Sequence, residues 1–148
     1  MKRRRNDHKN HILLRKIGIF IFVLTWSIVS YWLVWPYTPI VINGPLKIHN
    51  QDKEVKKGEY LVYEMDINKK MPLPAQITKQ LVNDFIITYS PIVGNVPVGK
   101  RKMKVKIKIP RSAECGEYVL MWEGLYKPNP IRNVRVVAYS EKFNVVES

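Results

Sequence analysis

Two hydrophobic patterns divide the chain. Residues 17–35 read IGIFIFVLTWSIVSYWLVW, with no charge and no repeating polar face. From residue 38 onward, apolar residues instead recur at every second position. They do so in short runs broken by Gly, Pro, Asn and Asp. The first pattern predicts a lipid-facing helix and the second a set of half-buried strands.

Nineteen helical residues rise about 28 Å, close to the roughly 30 Å hydrocarbon core of a bilayer. Tyr31, Trp32, Trp35 and Tyr37 crowd the exit end of the run, where amphipathic rings favour the membrane interface. Pro36 and Pro39 follow and stop the helix. A core helix of this length would carry a polar face. A cleaved signal peptide would have a shorter apolar stretch and a small-residue cleavage site, where this run ends in bulky YWLVWPY. The expected organisation is a basic cytoplasmic tail over residues 1–16, a transmembrane signal anchor over 17–37, and an extracytoplasmic β-domain over 38–148. The orientation follows from Lys2, Arg3, Arg4, Arg5, Lys9, Arg15 and Lys16 before the span, against Asp7 alone. Such a flank stays in the cytoplasm. The membrane lipid bilayer is thus the first expected partner, in a single-pass arrangement with the C-terminal domain outside.

In the second region, TPIVIN and PLKIHN predict two short strands around an NGP turn. GEYLVYEMDI alternates, with Leu61, Tyr63, Met65 and Ile67 on one face. AQITKQLVNDFIITYS reads as one strand, or as two broken near Asn83 and Asp84, with Ala75, Ile77, Leu81, Phe85, Ile87 and Tyr89 on one face. A helix face of Ile77, Leu81, Val82 and Phe85 is the competing pattern. KMKVKIKI is the cleanest strand. GEYVLMWEGLY follows, with Tyr118, Leu120 and Trp122 together, and NVRVVAY and KFNVV close the chain. About seven or eight short strands in a region of this length fit an antiparallel two-sheet sandwich.

GEYVL at 116–120 resembles the Gly-x-Tyr-x-Cys stretch of immunoglobulin-type domains. Tyr118 matches the corner tyrosine, and Leu120 stands where the core cysteine would be. The resemblance implies an all-β, Ig-like antiparallel β-sandwich behind one N-terminal transmembrane α-helix, and it implies no activity. YKPNPIRNVRVVAYSEKFNV, 126–145, resembles the closing segment of small single-pass membrane proteins of tailed phages and prophages. Those proteins carry a basic tip, one span and a compact outer β-domain of uncharacterised role. That likeness implies a phage-encoded setting and brings no catalytic residue.

The formal charge is +13 over 148 residues, and the N-terminal tail contributes about half of it. The single cysteine, Cys115, excludes an internal disulfide and a Cys-based metal centre. His8 and His11 have no neighbouring carboxylate or thiol to complete a metal site, and His49 stands alone. Cys115 precedes Gly116 in a turn, with no base motif beside it, and nothing brings Asp66 and Asp84 together as an acid pair. No catalytic or cofactor motif appears, so the expected class is non-catalytic, without a cofactor.

Two surfaces are candidates. Lys100, Lys102, Lys104, Lys106 and Lys108 alternate with Met103, Val105, Ile107 and Ile109. Five lysines at that spacing make a row about 27 Å long. The row suits an anionic envelope polymer, lipid headgroups or an acidic protein. It equally suits a wet strand face that discourages edge pairing. Facing acids such as Glu64, Asp66, Glu117 and Glu123 would neutralise part of it. Nucleic acid is disfavoured, because no aromatic shares the lysine face. The second surface is the loop YKPNPIR, 126–132, stiffened by two prolines and presenting Tyr126, Asn129 and Arg132 as anchors. The candidate partner-binding residues are therefore Lys102, Lys104, Lys106, Lys108, Tyr126, Asn129 and Arg132. The expected role is binding or scaffolding at a cell envelope. The alternative is a structural accessory subunit assembled through the span, where Gly18, Thr25 and Ser27 offer a small or polar packing surface.

Overall fold

The computed structural model describes residues 2–35 and 37–147, with side chains described from Leu13 onward. The expectations for the side chains of Lys2–Arg5, Lys9, His8 and His11, and for Pro36, lie outside the described residues. Contacts divide the chain into Met1–Pro36 and Tyr37–Ser148.

The first unit is one helix, α1 (Lys2–Val34). It begins well before the apolar run, because the basic tail contains good helix formers and no Pro or Gly to stop it. Leu13–Val34, 22 residues, is long and apolar enough to cross a membrane. Phe20, Phe22, Trp26 and Val34 are all exposed. The Ser27 hydroxyl donates to Val23 O at 2.8 Å, so its polarity is satisfied within the helix.

The described residues of the second unit form ten strands: β1 (Ile40–Ile42), β2 (Lys47–Ile48), β3 (Glu54–Lys56), β4 (Tyr60–Lys69), β5 (Ala75–Val82), β6 (Ile86–Thr88), β7 (Ile92–Gly94), β8 (Gly99–Lys108), β9 (Gly116–Asn129) and β10 (Arg132–Val146). In the first sheet β4 is central. It pairs antiparallel with β8 on one side and with β1 and β2 on the other. The second sheet runs β3, β10, β9, β5, and β6 and β7 both pair with β5. Within it β3 lies parallel to β10, and the other pairs are antiparallel.

The core sits between the inward faces of the two sheets. β4 contributes Leu61, Tyr63, Met65 and Ile67, all buried, as its alternation predicts. β9 contributes Tyr118, Leu120 and Trp122. Gly124 stands next on that face. A Cβ there would lie 2.6 Å from the Trp122 ring, so the missing side chain makes room for the indole. The Tyr118 hydroxyl donates to Glu114 O at 3.1 Å, tying the start of β9 to the chain four residues upstream.

A register shift in β10 joins the sheets. Tyr139 faces Met121 and Lys142 faces Val119, which leaves Ser140 and Glu141 opposite Leu120. The Leu120 N–H donates to the Ser140 hydroxyl instead, at 2.9 Å. On the other edge Leu46 donates to Tyr139 O and accepts from Glu141 N. The chain between β1 and β2 is thereby pinned to β10, and Leu46 is fully buried.

Several local expectations change. The 75–89 segment is strands, with the break where Asn83 Oδ1 accepts the Phe85 N–H at 2.7 Å. Phe85 falls in that turn and is exposed, not on the shared face. NVRVVAY and KFNVV form one bulged strand. β3 and β7 are short and carry no alternation long enough to announce them.

Replacing the fully buried Leu61 by Ala should lower stability by about 2–5 kcal/mol, and replacing the exposed Val93 by Ala by about 0.5 kcal/mol or less. Tyr118→Phe should cost about 0.5–1.5 kcal/mol through the lost hydrogen bond to Glu114 O. Urea unfolding of the full chain in detergent, followed by far-UV circular dichroism, measures all three.

Candidate functional site

The lysine row is built by β8. Its even-numbered residues from Lys100 to Lys108 are exposed, and its odd-numbered residues face inward. Gly99 opens the strand at φ +121, a conformation that L side chains rarely adopt, where the incoming chain turns into the sheet.

Register sets Lys102 opposite Asp66, Lys104 opposite Glu64, Lys106 opposite Val62 and Lys108 opposite Tyr60. The acids are engaged elsewhere. Glu64 Oε2 lies 3.2 Å from His49 Nε2, and Asp66 Oδ1 accepts from the Asn43 amide at 3.4 Å. Glu123 holds Arg135 through two contacts of 2.7 and 2.8 Å, and Glu117 pairs with Lys142 at 2.7 Å, both on the second sheet. Among the described residues no ion pair reaches the five lysines of β8. Their charge is therefore exposed as a row.

β8 is also an edge. Among the described residues its one pairing partner is β4. Ile109 N–H donates to Glu59 O at 2.8 Å, so in this antiparallel ladder the odd-numbered positions bond to β4. The lysine positions direct their own N–H and C=O groups the other way. At Lys108 that carbonyl is taken, because the Tyr89 hydroxyl donates to it at 2.9 Å. Burial pushes the Tyr89 phenol up to about 12, so it stays protonated and donating at neutral pH.

The second candidate surface is not built as expected. β9 runs to Asn129 and β10 starts at Arg132, leaving a two-residue turn at Pro130 and Ile131 in place of a seven-residue loop. Tyr126 is buried, with its ring on the core side, because it continues the inward series of Tyr118, Leu120 and Trp122. Asn129 is buried too, and its Oδ1 accepts the Ile131 N–H at 3.1 Å to close the turn. The Arg132 guanidinium lies 5.9 Å from the Tyr37 ring centroid. Tyr126 and Asn129 therefore serve the core and the turn, and do not form an exposed tip.

A feature outside the sequence reading lies beneath β8. An apolar cavity of about 180 Å3 runs between Met103 and Val105 of β8 and Ile77 and Ile92 of the second sheet. Lys69 is among the residues that line it, at 2% exposure. It follows Ile67 in the inward series of β4, a position the period of two does assign to the core. Its Nζ donates to Leu73 O at 2.7 Å and to Asn95 Oδ1 at 2.8 Å. Burial holds the Lys69 ammonium below the usual lysine range, and does the same for Lys79 on the cavity wall. The Tyr63 hydroxyl is buried without a hydrogen-bond partner among the described residues, and burial pushes its phenol up.

Cys115 is exposed, with its thiol 3.1 Å from Glu147 Oε2. Lys57 pairs with that carboxylate at 2.9 Å and holds it below the usual carboxylate range. Among the described residues no three His, Cys, Asp or Glu side chains group as a metal site.

No protein-family model matches the sequence. No curated protein matches it either. Among solved structures, similarity is found to the Pseudomonas fluorescens alkylpurine DNA glycosylase AlkC bound to DNA containing an abasic site analog. It stands at 12% identity and a TM-score of 0.42, over 75% of this chain and 31% of that chain. The match thus spans less than a third of that protein's length, and a likeness at this level carries neither fold nor activity across.

Lys69 gives a pH signature. Its folded pKa lies below the unfolded value of about 10.4, so the unfolded chain binds more protons between the two. Stability therefore rises with pH through that window, and the full cost of burying the ammonium is present below it. Lys69→Met should flatten the rise in urea midpoint as pH approaches the unfolded lysine value from below, read as a difference from the unaltered chain so that tyrosine titration cancels. An unchanged slope would show that Lys69 does not titrate differently in the fold.

Proposed function

We propose that the chain is a membrane-anchored, non-catalytic binding or scaffolding module that displays an Ig-like β-sandwich at a cell envelope. The observation that carries this reading is Leu13–Val34, a helix of spanning length whose apolar side chains are exposed. In water such a surface is a liability, and in a bilayer it is the anchor. The basic flank before it supports an inside N-terminus and an outside β-unit.

The Ig-like reading is supported by strand pairing. β4 pairs with β8, and the second sheet holds the order β5, β9, β10, an arrangement like the B–E and C–F–G pairing of immunoglobulin-type sandwiches. The Tyr118 bond to Glu114 O supports it as well. The phage-encoded setting rests on the resemblance of residues 126–145 alone.

Binding is assigned to the lysine face of β8, whose charge is not spent on neighbours. The partner class is an anionic envelope polymer or an acidic envelope protein. An anchor confines the domain to the membrane surface and so raises its effective concentration for a partner there.

The expected outcome for the anchor is that the full chain stays with membranes through alkaline carbonate washing, while protease added from outside removes the β-unit and spares an N-terminal tag. Release by carbonate would overturn the anchor, and protection of the β-unit would overturn the orientation. For the lysines, retention of the detergent-solubilised chain on envelope extract should fall as salt rises, since screening shortens to about 3 Å at 1 M. Replacing Lys102, Lys104 and Lys106 together by Gln should weaken low-salt retention about ten-fold or more. Equal retention would remove the lysine face from the reading. Exchange of the span for an unrelated one should leave retention intact, whereas an accessory subunit assembled through the helix would lose it.

A further inference from the structure

We propose that the free edge of β8 accepts an extended strand from a partner protein, and that acidic and apolar residues alternate along that strand. The inference rests on the reading of the chain as a binding module and gives the partner's chemistry.

Three features of β8 coincide. Its backbone is the first. Between Lys100 and Lys106 the N–H and C=O groups of the lysine positions face away from β4, and among the described residues no backbone group meets them. The second is the inward face. Met103 and Val105 are only half-buried, although their register partners Met65 and Tyr63 on β4 are buried. The cavity of about 180 Å3 lies beneath them, a volume in the range that holds a benzene-sized apolar group. Its rim is apolar and open, with Ile92 52% exposed. The third is the outward face, with the lysine row and, among the described residues, no ion pair to it.

A strand laid on this edge would place alternate side chains on the two faces. Residues on the inner face would meet Met103, Val105 and the cavity. Residues on the outer face would stand beside Lys102, Lys104 and Lys106. Apolar residues fit the first environment and carboxylates the second, so the geometry selects an alternating acidic–apolar strand. Arg101 adds a donor at one end, since its Nε is buried with no hydrogen-bond partner among the described residues. A carbonyl or carboxylate arriving there would satisfy it. At the other end the Tyr89 hydroxyl already occupies Lys108 O, which limits the open edge. Edge lysines ordinarily repel indiscriminate pairing. Here they also discriminate, because an acidic strand neutralises them and a basic or neutral one does not. Strand addition takes affinity from main-chain bonds and specificity from alternate side chains.

The test uses the full chain in detergent micelles and a labelled, end-capped peptide of about seven residues alternating Glu and Val, enough to cover the open edge. Fluorescence anisotropy is read against empty micelles. The alternating peptide should bind, and an isomer with its Glu and Val in two blocks should bind at least about ten-fold more weakly. N-methylation of one set of alternate amides should abolish binding, and methylation of the other set should leave it, since only one set faces β8. Lys104→Glu should weaken binding about ten-fold, and Lys127→Glu, on the second sheet, should not. If all peptides bind alike and salt removes them alike, strand addition is overturned and a purely electrostatic lysine face remains. If none binds, strand addition is overturned, while carbonate washing still reports on the anchor by itself.

Discussion

The β-unit depends on one contact, the inward stripe of β4 against the inward stripe of β9. Leu61, Tyr63, Met65 and Ile67 on one strand and Tyr118, Leu120 and Trp122 on the other are buried almost completely. Each stripe exists because side chains alternate with a period of two. Each is useful only because the other lies opposite it. With no disulfide available to Cys115, this apolar contact must hold the sheets together. The register follows, since a slip of one residue would turn the lysines of β8 toward the core through their pairing with β4.

The two sheets are joined unevenly around this contact. On one flank the bulge at Ser140 and Glu141 lets β10 bond to Leu46, and so closes the gap between the sheets with backbone hydrogen bonds. On the opposite flank, among the described residues, no backbone hydrogen bond joins β8 to β5, and the Tyr89 hydroxyl on Lys108 O is the side-chain link there. The cavity, the half-exposed Met103 and Val105, and the unpaired backbone of β8 all belong to that open flank.

Charge follows the same division. The second sheet pairs some of its outer charges locally, Arg135 with Glu123 and Lys142 with Glu117. The first sheet sets acids opposite lysines but directs those acids to His49 and Asn43. Pairing register alone therefore did not decide neutralisation. The nearest competing donor did, and the row on β8 remained charged.

The sequence by itself determined what depends on local periodicity. An unbroken apolar run gave a helix of spanning length, and the alternation of 60–67, 100–109 and 118–122 gave strands with their buried faces correctly assigned. The lysine row was legible for the same reason. Tertiary structure decided whatever depends on neighbours distant in sequence. Tyr126 and Asn129 read as an exposed tip because prolines suggest a loop, yet β9 continues through Pro128 and the inward series of that strand captures Tyr126. Lys69 continues the inward series of β4, and the core tolerates its ammonium only because Leu73 O and Asn95 Oδ1, both outside that series, solvate it. That β8 lies at an edge, above a cavity, appears nowhere in its own residues. A strand's alternation says which face is wet, and only the assembled sheet says which side is left without a partner.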